Sequence, residues 1–328
     1  MQTLKVGMIS FAHGHAFGYL NGLNQISEVK VVGIADENAD RVKEVCEKQQ
    51  IPYYADYNDL LKQDIDAVVI CSENAKHAEL TIAAAKAKKH VLCEKPLGIS
   101  VEEMKEMIAA CEQNGVQLMT AFPCRYLPAV TQAKAAIENG EIGEIVAVKG
   151  TNHGGNPGGW FVDPALSGGG AMLDHTVHVM DLLNWILKSD VKEVYGYAAT
   201  LFSEQLPVDD AGMVHVKFAN GAFAVIDTSW SRNKAFPTWG DVTMEIIGTK
   251  GTISVDALGQ INELYSEENG KAIWSYWGDD MDAYMIRDFV HALLNDKQVP
   301  VTGEDGLKSA QVAIAAYASL KTGQPVAL

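Results

Sequence analysis

Residues 4–36 read LKVGMISFAHGHAFGYLNGLNQISEVKVVGIAD. A short apolar run, a polar loop, a helical pattern and a second apolar run ending in Asp make one strand-helix-strand unit. Two strands joined through a helix lie parallel. The rhythm continues through a helix over 39–49, AVVICS (67–72), a helix over 77–88 and HVLCE (90–94). Ser100 and Glu103 then form a capping box that opens a helix, which Gly115 closes before VQLMTA (116–121). The pattern predicts an α/β fold: a doubly wound parallel sheet over residues 1–122 with helices on both faces.

Beyond residue 122 the rhythm changes. After a helix over 128–139 come the strand-like runs EIVAVKGT (144–151), VYGYAAT (194–200), AGMVHVKF (211–218), AFAVIDTSW (222–230), VTMEIIG (242–248) and TISVD (252–256). Few helices intervene, and Asn220-Gly221 and Thr249-Lys250-Gly251 read as hairpin turns. The second domain, 123–328, is therefore expected to be α+β. Its mostly antiparallel open sheet would be covered on one face by helices over 168–187, 280–295 and 305–321.

Composition bounds what such a chain does. A length of 328 residues suits two cores, and 48% hydrophobic with 21% charged residues excludes disorder. With 26 Lys plus Arg against 42 Asp plus Glu, the net charge of -16 repels a phosphate backbone, so no nucleic-acid partner is expected. No apolar run reaches the roughly 18 residues of a membrane span, so no membrane partner is expected. No secretory signal is visible at the N-terminus either. Cys46, Cys71, Cys93, Cys111 and Cys124 form no CxxC pair and read as reduced thiols, so the expected location is cytoplasmic.

In a doubly wound sheet a dinucleotide binds at the first loop, with its pyrophosphate on the first helix N-terminus. Here that loop is Ser10, Phe11, Ala12, His13, Gly14 and His15, and glycine is missing from every fingerprint position, Ser10, Ala12 and His15. Ser10 and Ala12 are small enough for close backbone approach. His13 and His15 either meet the phosphates or nicotinamide, or simply fill the loop. Asp36, 22 residues after Gly14, is placed to accept from the ribose hydroxyls and repel a 2′-phosphate, which favours NAD over NADP. Arg41 is the one residue that could accommodate NADP.

Three segments then fall into line: SENAKH (72–77), HVLCEKPLG (90–98) and GGGAMLDHTVHVMD (168–181). Their order and spacing resemble the Gfo/Idh/MocA family, that of glucose-fructose oxidoreductase, inositol dehydrogenase and rhizopine catabolism. The likeness runs through CRYLP (124–128) and ENGEIGEI (138–145) to the C-terminal 301–326 segment. It implies a Rossmann NAD-binding domain followed by a substrate and oligomerisation domain. Ser72, Asn74, His77, Glu94 and Lys95 would join the cofactor site.

On α-helical spacing Asp174, His178 and Asp181 share one face, while His175 turns about a quarter-circle away. The helix is apolar nearly all round, so its Asp and His are expected to be buried and to have a purpose. Glycines 168–170 are expected where a ligand lies against the backbone. Asp174 and His178 could supply two metal ligands, but by resemblance Lys95 points into the same site and competes with a cation; no metal is expected. The resemblance implies hydride transfer between the secondary hydroxyl or keto carbon of a sugar, inositol or related polyol and nicotinamide C4. The catalytic set is Lys95, Asp174 and His178; Lys95, Arg125, Asn152, His153, Trp160, Asp174, His178 and Arg232 are the substrate candidates. Glu94 and Pro96 shape the turn, with Pro96 a candidate cis residue. A transient-NAD glycoside hydrolase and an NAD- and sugar-sensing regulator are the alternatives. A homodimer or homotetramer through the open sheet face is expected.

Overall fold

The computed structural model describes residues 3–328 apart from 204, 269 and 277. The chain divides into two compact units, residues 1–123 with 281–307, and residues 124–280 with 308–328.

In the first unit β1 (Leu4–Ile9), α1 (His15–Asn24), β2 (Val29–Ala35), α2 (Ala39–Gln49), β3 (Tyr53–Tyr54) and α3 (Tyr57–Leu61) lead to β4 (Ala67–Ile70). Then come α4 (His77–Lys86), β5 (His90–Cys93), α5 (Val101–Asn114) and β6 (Leu118–Thr120). The sheet is parallel, in the order β3-β2-β1-β4-β5-β6. Strand order reverses between β1 and β4, which opens a crevice at their carboxyl ends. Val68, Val69 and Ile70 are fully buried, as strands covered on both faces require. The Ser100–Glu103 capping box and the left-handed Gly115 at the end of α5 are both present.

The second unit holds α6 (Pro128–Glu138), β7 (Ile145–Gly154), α7 (Pro164–Ser167), α8 (Ala171–Leu187), β8 (Val191–Ala199), β9 (Ala211–Phe218) and β10 (Phe223–Ser229). It continues with β11 (Gly240–Gly248), β12 (Thr252–Asp256) and the ribbon β13 (Ile261–Ser266) and β14 (Lys271–Tyr276). After α9 (Met281–Leu294) and α10 (Gly303–Thr322), β15 (Val326–Ala327) ends the chain. The seven-stranded sheet runs β12-β11-β7-β10-β9-β8-β15, antiparallel except where β7 and β10 lie parallel. Glycines fit its helical cover: a Cβ at Gly150 would collide with Val179 of α8, and one at Gly196 with Ala316 of α10.

One expectation is corrected. Helix α9 does not cover the second sheet but packs on α1 in the first unit. Gly18 and Gly22, four residues apart on α1, make the room: a Cβ on Gly18 would sit 2.9 Å from Asp282, and one on Gly22 3.3 Å from Ile286.

Candidate active site

The nucleotide loop solves its lack of glycine conformationally. Ser10 itself takes φ 67°, the left-handed region glycine would supply. Its Oγ accepts from the Ala12 N–H (3.2 Å), tying down the turn. The Phe11 N–H donates to Asp36 Oδ2 (2.7 Å) and the Asn38 N–H to Oδ1 (2.8 Å). Asp36 thus braces the loop, and Arg41 pairs with it at 3.1 Å. Beside it lies a pocket of about 150 Å³, lined among others by Ser10, Asp36, Glu37, Ser72 and Glu73.

Behind the loop, Glu94 is fully buried. Its Oε1 accepts from His15 Nδ1 (2.7 Å) and from the Tyr19 hydroxyl (2.5 Å), and its Oε2 from the Lys95 N–H (2.6 Å). Burial alone would raise its pKa, but the imidazoles of His13 and His15 outweigh that and hold the carboxyl well below the usual range. Burial lowers His15, and the Glu94 carboxylate more than reverses this, so the imidazole ends above its ordinary value. One ligand atom from each of His13, His15 and Glu94 lies within 4.8 Å of the others, a spacing a metal could bridge. The lone pairs are instead joined by protons: His15 and Tyr19 both address Glu94 Oε1, and His13 Nδ1 accepts from the His15 N–H (3.2 Å).

Lys95 is 5% exposed, and its bond to Pro96 is cis. His77 is fully buried, with Nδ1 2.9 Å from the Pro96 carbonyl and Nε2 3.3 Å from that of Ser72. It staples the Ser72 loop to the Glu94-Lys95-Pro96 turn. Asn74 is also buried, at 4% exposed, and Ser72 Oγ donates to the Glu73 carbonyl (3.1 Å).

In the second unit the glycine run proves to serve the chain itself. Gly168 ends α7 at φ 77°, and a Cβ at Gly169 would lie 2.7 Å from the Tyr317 hydroxyl. A Cβ at Gly170 would overlap the Asp209 carbonyl outright. Asp209 then caps α8, accepting from Met172 N–H (2.8 Å) and Gly170 N–H (3.2 Å), while the Tyr317 hydroxyl donates to it (2.5 Å). Sequence reasoning had assigned this space to a ligand.

The four ionisable side chains of α8 divide differently from their helical spacing. Asp181 is gripped by Arg125, whose Nε and NH2 reach its two oxygens at 2.7 and 2.6 Å, both side chains buried. This bidentate pair anchors α8 to the segment before α6. His178 has Nδ1 4.0 Å from Cys124 Sγ. Asp174 Oδ2 accepts from Trp230 Nε1 (3.3 Å) and lies 3.3 Å from His175 Nε2. His175 therefore joins Asp174 rather than turning away from it. Trp230 and His175 were missed in sequence; the available signal was a Trp closing an alternating strand, because a buried indole N–H needs an acceptor.

The remaining substrate candidates separate by strand parity. Gly150 and Gly154 face α8, so Thr151 and His153 face away. His153 lies between Asp227 (3.2 Å) and Asp241 (2.9 Å), and Arg232 pairs with the same Asp241. Hydrogen bonds to Asp227 and Asp241 push His153 up to about 9. Asn152 is fully buried, its Nδ2 donating to the Asp241 carbonyl (2.7 Å). Of the three, His153 and Arg232 share the Asp241 carboxylate, with His153 on the sheet face opposite the Asp174 helix, while Asn152 lies on the α8 face. Trp160 stacks on Phe161 (3.9 Å), which packs on the Ala171, Val208 and Trp230 cluster.

A strand-order switch beside an Asp-braced loop, with a buried aspartate and histidine on a glycine-entered helix of a second unit, defines a two-domain nicotinamide-dependent oxidoreductase. Residues 4–122 match the family described as oxidoreductase family, NAD-binding Rossmann fold, and residues 130–254 match the GFO/IDH/MocA C-terminal domain. The chain is 33% identical to the uncharacterised oxidoreductase YrbE of Bacillus subtilis, over 94% of this chain and 92% of that one. It is 30% identical to the myo-inositol 2-dehydrogenase of Thermotoga maritima, over 99% and 98%. The crystal structure of a probable dehydrogenase from Thermotoga maritima superposes with a TM-score of 0.85 at 29% identity, covering 99% of each chain. The chain belongs to the Gfo/Idh/MocA oxidoreductase family, and its cofactor is NAD.

The first unit fits that cofactor. A Cβ at Gly14, which opens α1, would meet nothing within 4 Å, leaving the helix N-terminus open to a phosphate. The pocket carrying Asp36 and Glu37 suits an adenosine ribose and opposes a 2′-phosphate. Both nearby cations are paired, Arg41 with Asp36 and Lys76 with Glu37 (2.6 Å).

Proposed function

We propose that this chain oxidises a secondary hydroxyl of a sugar, inositol or related polyol, with Lys95, Asp174 and His178 as its catalytic residues. The observation that carries the assignment is α8, which buries Asp174 and His178 one turn apart and fixes the carboxylate by an indole N–H. Burying both without a task is costly. Bound NAD supplies the hydride acceptor. His178 takes the hydroxyl proton as the carbon loses its hydride and the C–O bond becomes C=O. Lys95 stabilises the negative charge on the oxygen, and Asp174 orients His178 or a neighbouring hydroxyl. Run backwards, the same groups reduce the ketone. The likeness to a myo-inositol 2-dehydrogenase supports a polyol as substrate.

The test is NADH absorbance with NAD, EDTA and a panel of inositols, aldoses and sugar acids. Turnover that survives EDTA and falls about 100-fold or more in His178→Ala, with NAD binding retained, is expected. Equal activity in the variant ends the assignment. Product without net NADH would point to transient-NAD hydrolysis instead.

The second sheet's face away from α8 exposes Tyr197, Phe223 and Met213 at 61%, 54% and 44%, an apolar surface suited to a second copy of the chain. We read the assembly as a homodimer or homotetramer, which sedimentation decides. Five buried free thiols support a reducing, cytoplasmic location. Among the described residues no helix is long and apolar enough to cross a membrane.

A further inference from the structure

We infer that His15 does the diphosphate-binding work of the missing glycine loop: paired with the buried Glu94, it places a proton-dependent positive charge at the first position of α1, so that NAD is held more tightly at low pH than at high. This rests on NAD as the cofactor and not on the polyol reaction proposed above. The argument starts from where the loop directs its N–H groups. A glycine loop turns them toward the diphosphate, and here they turn inward. Phe11 donates to Asp36 Oδ2 (2.7 Å), Ala12 to Ser10 Oγ (3.2 Å), His13 to the Cys71 carbonyl (2.9 Å), His15 to His13 Nδ1 (3.2 Å) and Ala16 to the His13 carbonyl (3.1 Å). Over residues 11–16 that leaves the N–H of Gly14 for an anion, and a diphosphate then needs a positive side chain beside it.

His15 meets that need. It is the first residue of α1, and its Nδ1 lies 2.7 Å from Glu94 Oε1. A carboxylate only accepts, so Nδ1 carries the hydrogen. Nε2 takes no partner among the described residues, and the side chain is 37% exposed, which leaves that nitrogen for a ligand. The fully buried Glu94 favours the charged ring and stays ionised itself. The other groups around the ring divide. Asp282 of α9 adds to the pull of Glu94 and Lys95 opposes it; the Tyr19 hydroxyl lies 3.3 Å from Nδ1, and the His13 ring centroid is 4.2 Å away. Loss of the Nε2 proton leaves the Glu94 carboxylate uncovered behind a bound diphosphate, and like charges repel. By linkage, the proton tightens NAD by the same factor that NAD tightens the proton.

The experiment is calorimetric titration of the full chain, in buffer containing EDTA, with NAD and with ADP-ribose, which keeps the diphosphate and lacks the nicotinamide. The Kd of both should rise roughly 10-fold from about pH 6 to about pH 9.5. Near the midpoint, binding should take up a fraction of a proton, read from the heats in two buffers of different ionisation enthalpy. His15→Asn keeps an amide where Nδ1 donates to Glu94 and removes the charge. Its Kd should be flat with pH, weakened at the acid end to the wild type's alkaline value, and its proton uptake should vanish. Glu94→Gln keeps the shape and withdraws the carboxylate, so the midpoint of the Kd profile should move to lower pH. A wild-type Kd that ignores pH, binding without proton uptake, an unmoved midpoint in Glu94→Gln, or a slope that survives His15→Asn and so belongs to another group such as His13, each overturns the inference. No substrate is present. Failure of the dehydrogenase reading appears as no NADH with any polyol, and failure of this one as a flat Kd profile in the wild-type chain.

Discussion

The loop at residues 10–15 and the glycine run at 168–170 invert what their sequences advertise. The first lacks glycine at every fingerprint position yet adopts the glycine conformation, because Ser10 takes φ 67° and its own Oγ secures the turn. The second is all glycine, and its space is filled by Asp209 and Tyr317 of the same chain. Glycine marks a steric or conformational need, and what meets that need is decided by topology.

The largest test of this comparison is a pair of substitutions. At Gly170 a methyl group overlaps a backbone carbonyl that cannot move without unseating the α8 cap. Gly170→Ala should cost about 3 kcal/mol or more in urea unfolding. Gly14→Ala meets nothing within 4 Å, at φ -60°. Its stability should stay within about 0.5 kcal/mol of wild type while the Kd for NAD rises. Equal stability losses at the two positions would break the comparison.

What the sequence shows of the fold follows the same division. Strand and helix periods, the capping box at Ser100 and the hairpin at Asn220-Gly221 are local signals, and each formed where its residues indicated. Helix α9 was misassigned because an amphipathic face states that it is buried, not against what; the Gly18 and Gly22 spacing on α1 was the unused clue. The sheet face that His153 occupies was not legible either, because strand parity needs a register, which only pairing supplies. Arg125 and Asp181 lie 56 residues apart, and no local pattern ties them.

Acidity separates electrostatic from steric fixation at an intermediate size. His153, on the far face of β7, is raised from 6.5 to about 9 by Asp227 and Asp241. A raised folded-state value means that the stabilisation is fully present below about pH 6.5 and is lost as pH climbs through about 9. With the cluster part-exposed, its size should be about 1 to 2 kcal/mol. The stability gap between wild type and His153→Asn should therefore be widest near pH 6 and close by pH 10. The Gly170→Ala deficit should not change over that range, because a clash with a carbonyl carries no charge. A gap at His153 that ignores pH would mean that its ring is held by shape, as the glycine run is.

The smallest effect bears most directly on the loop. Ser10 pays for φ 67°, on the order of 1 kcal/mol for a residue with a Cβ, and its Oγ to Ala12 bond returns about the same. Ser10→Gly removes both, so stability should barely move. Ser10→Ala keeps the strained backbone and loses the bond, and should be about 1 kcal/mol less stable than either. That ordering, with Ala below Ser and Gly together, is peculiar to a serine in a glycine position. Were Ala to match Ser, the hydroxyl would have no part in holding the turn. The loop's shape would then come from the Phe11 N–H to Asp36 bond alone.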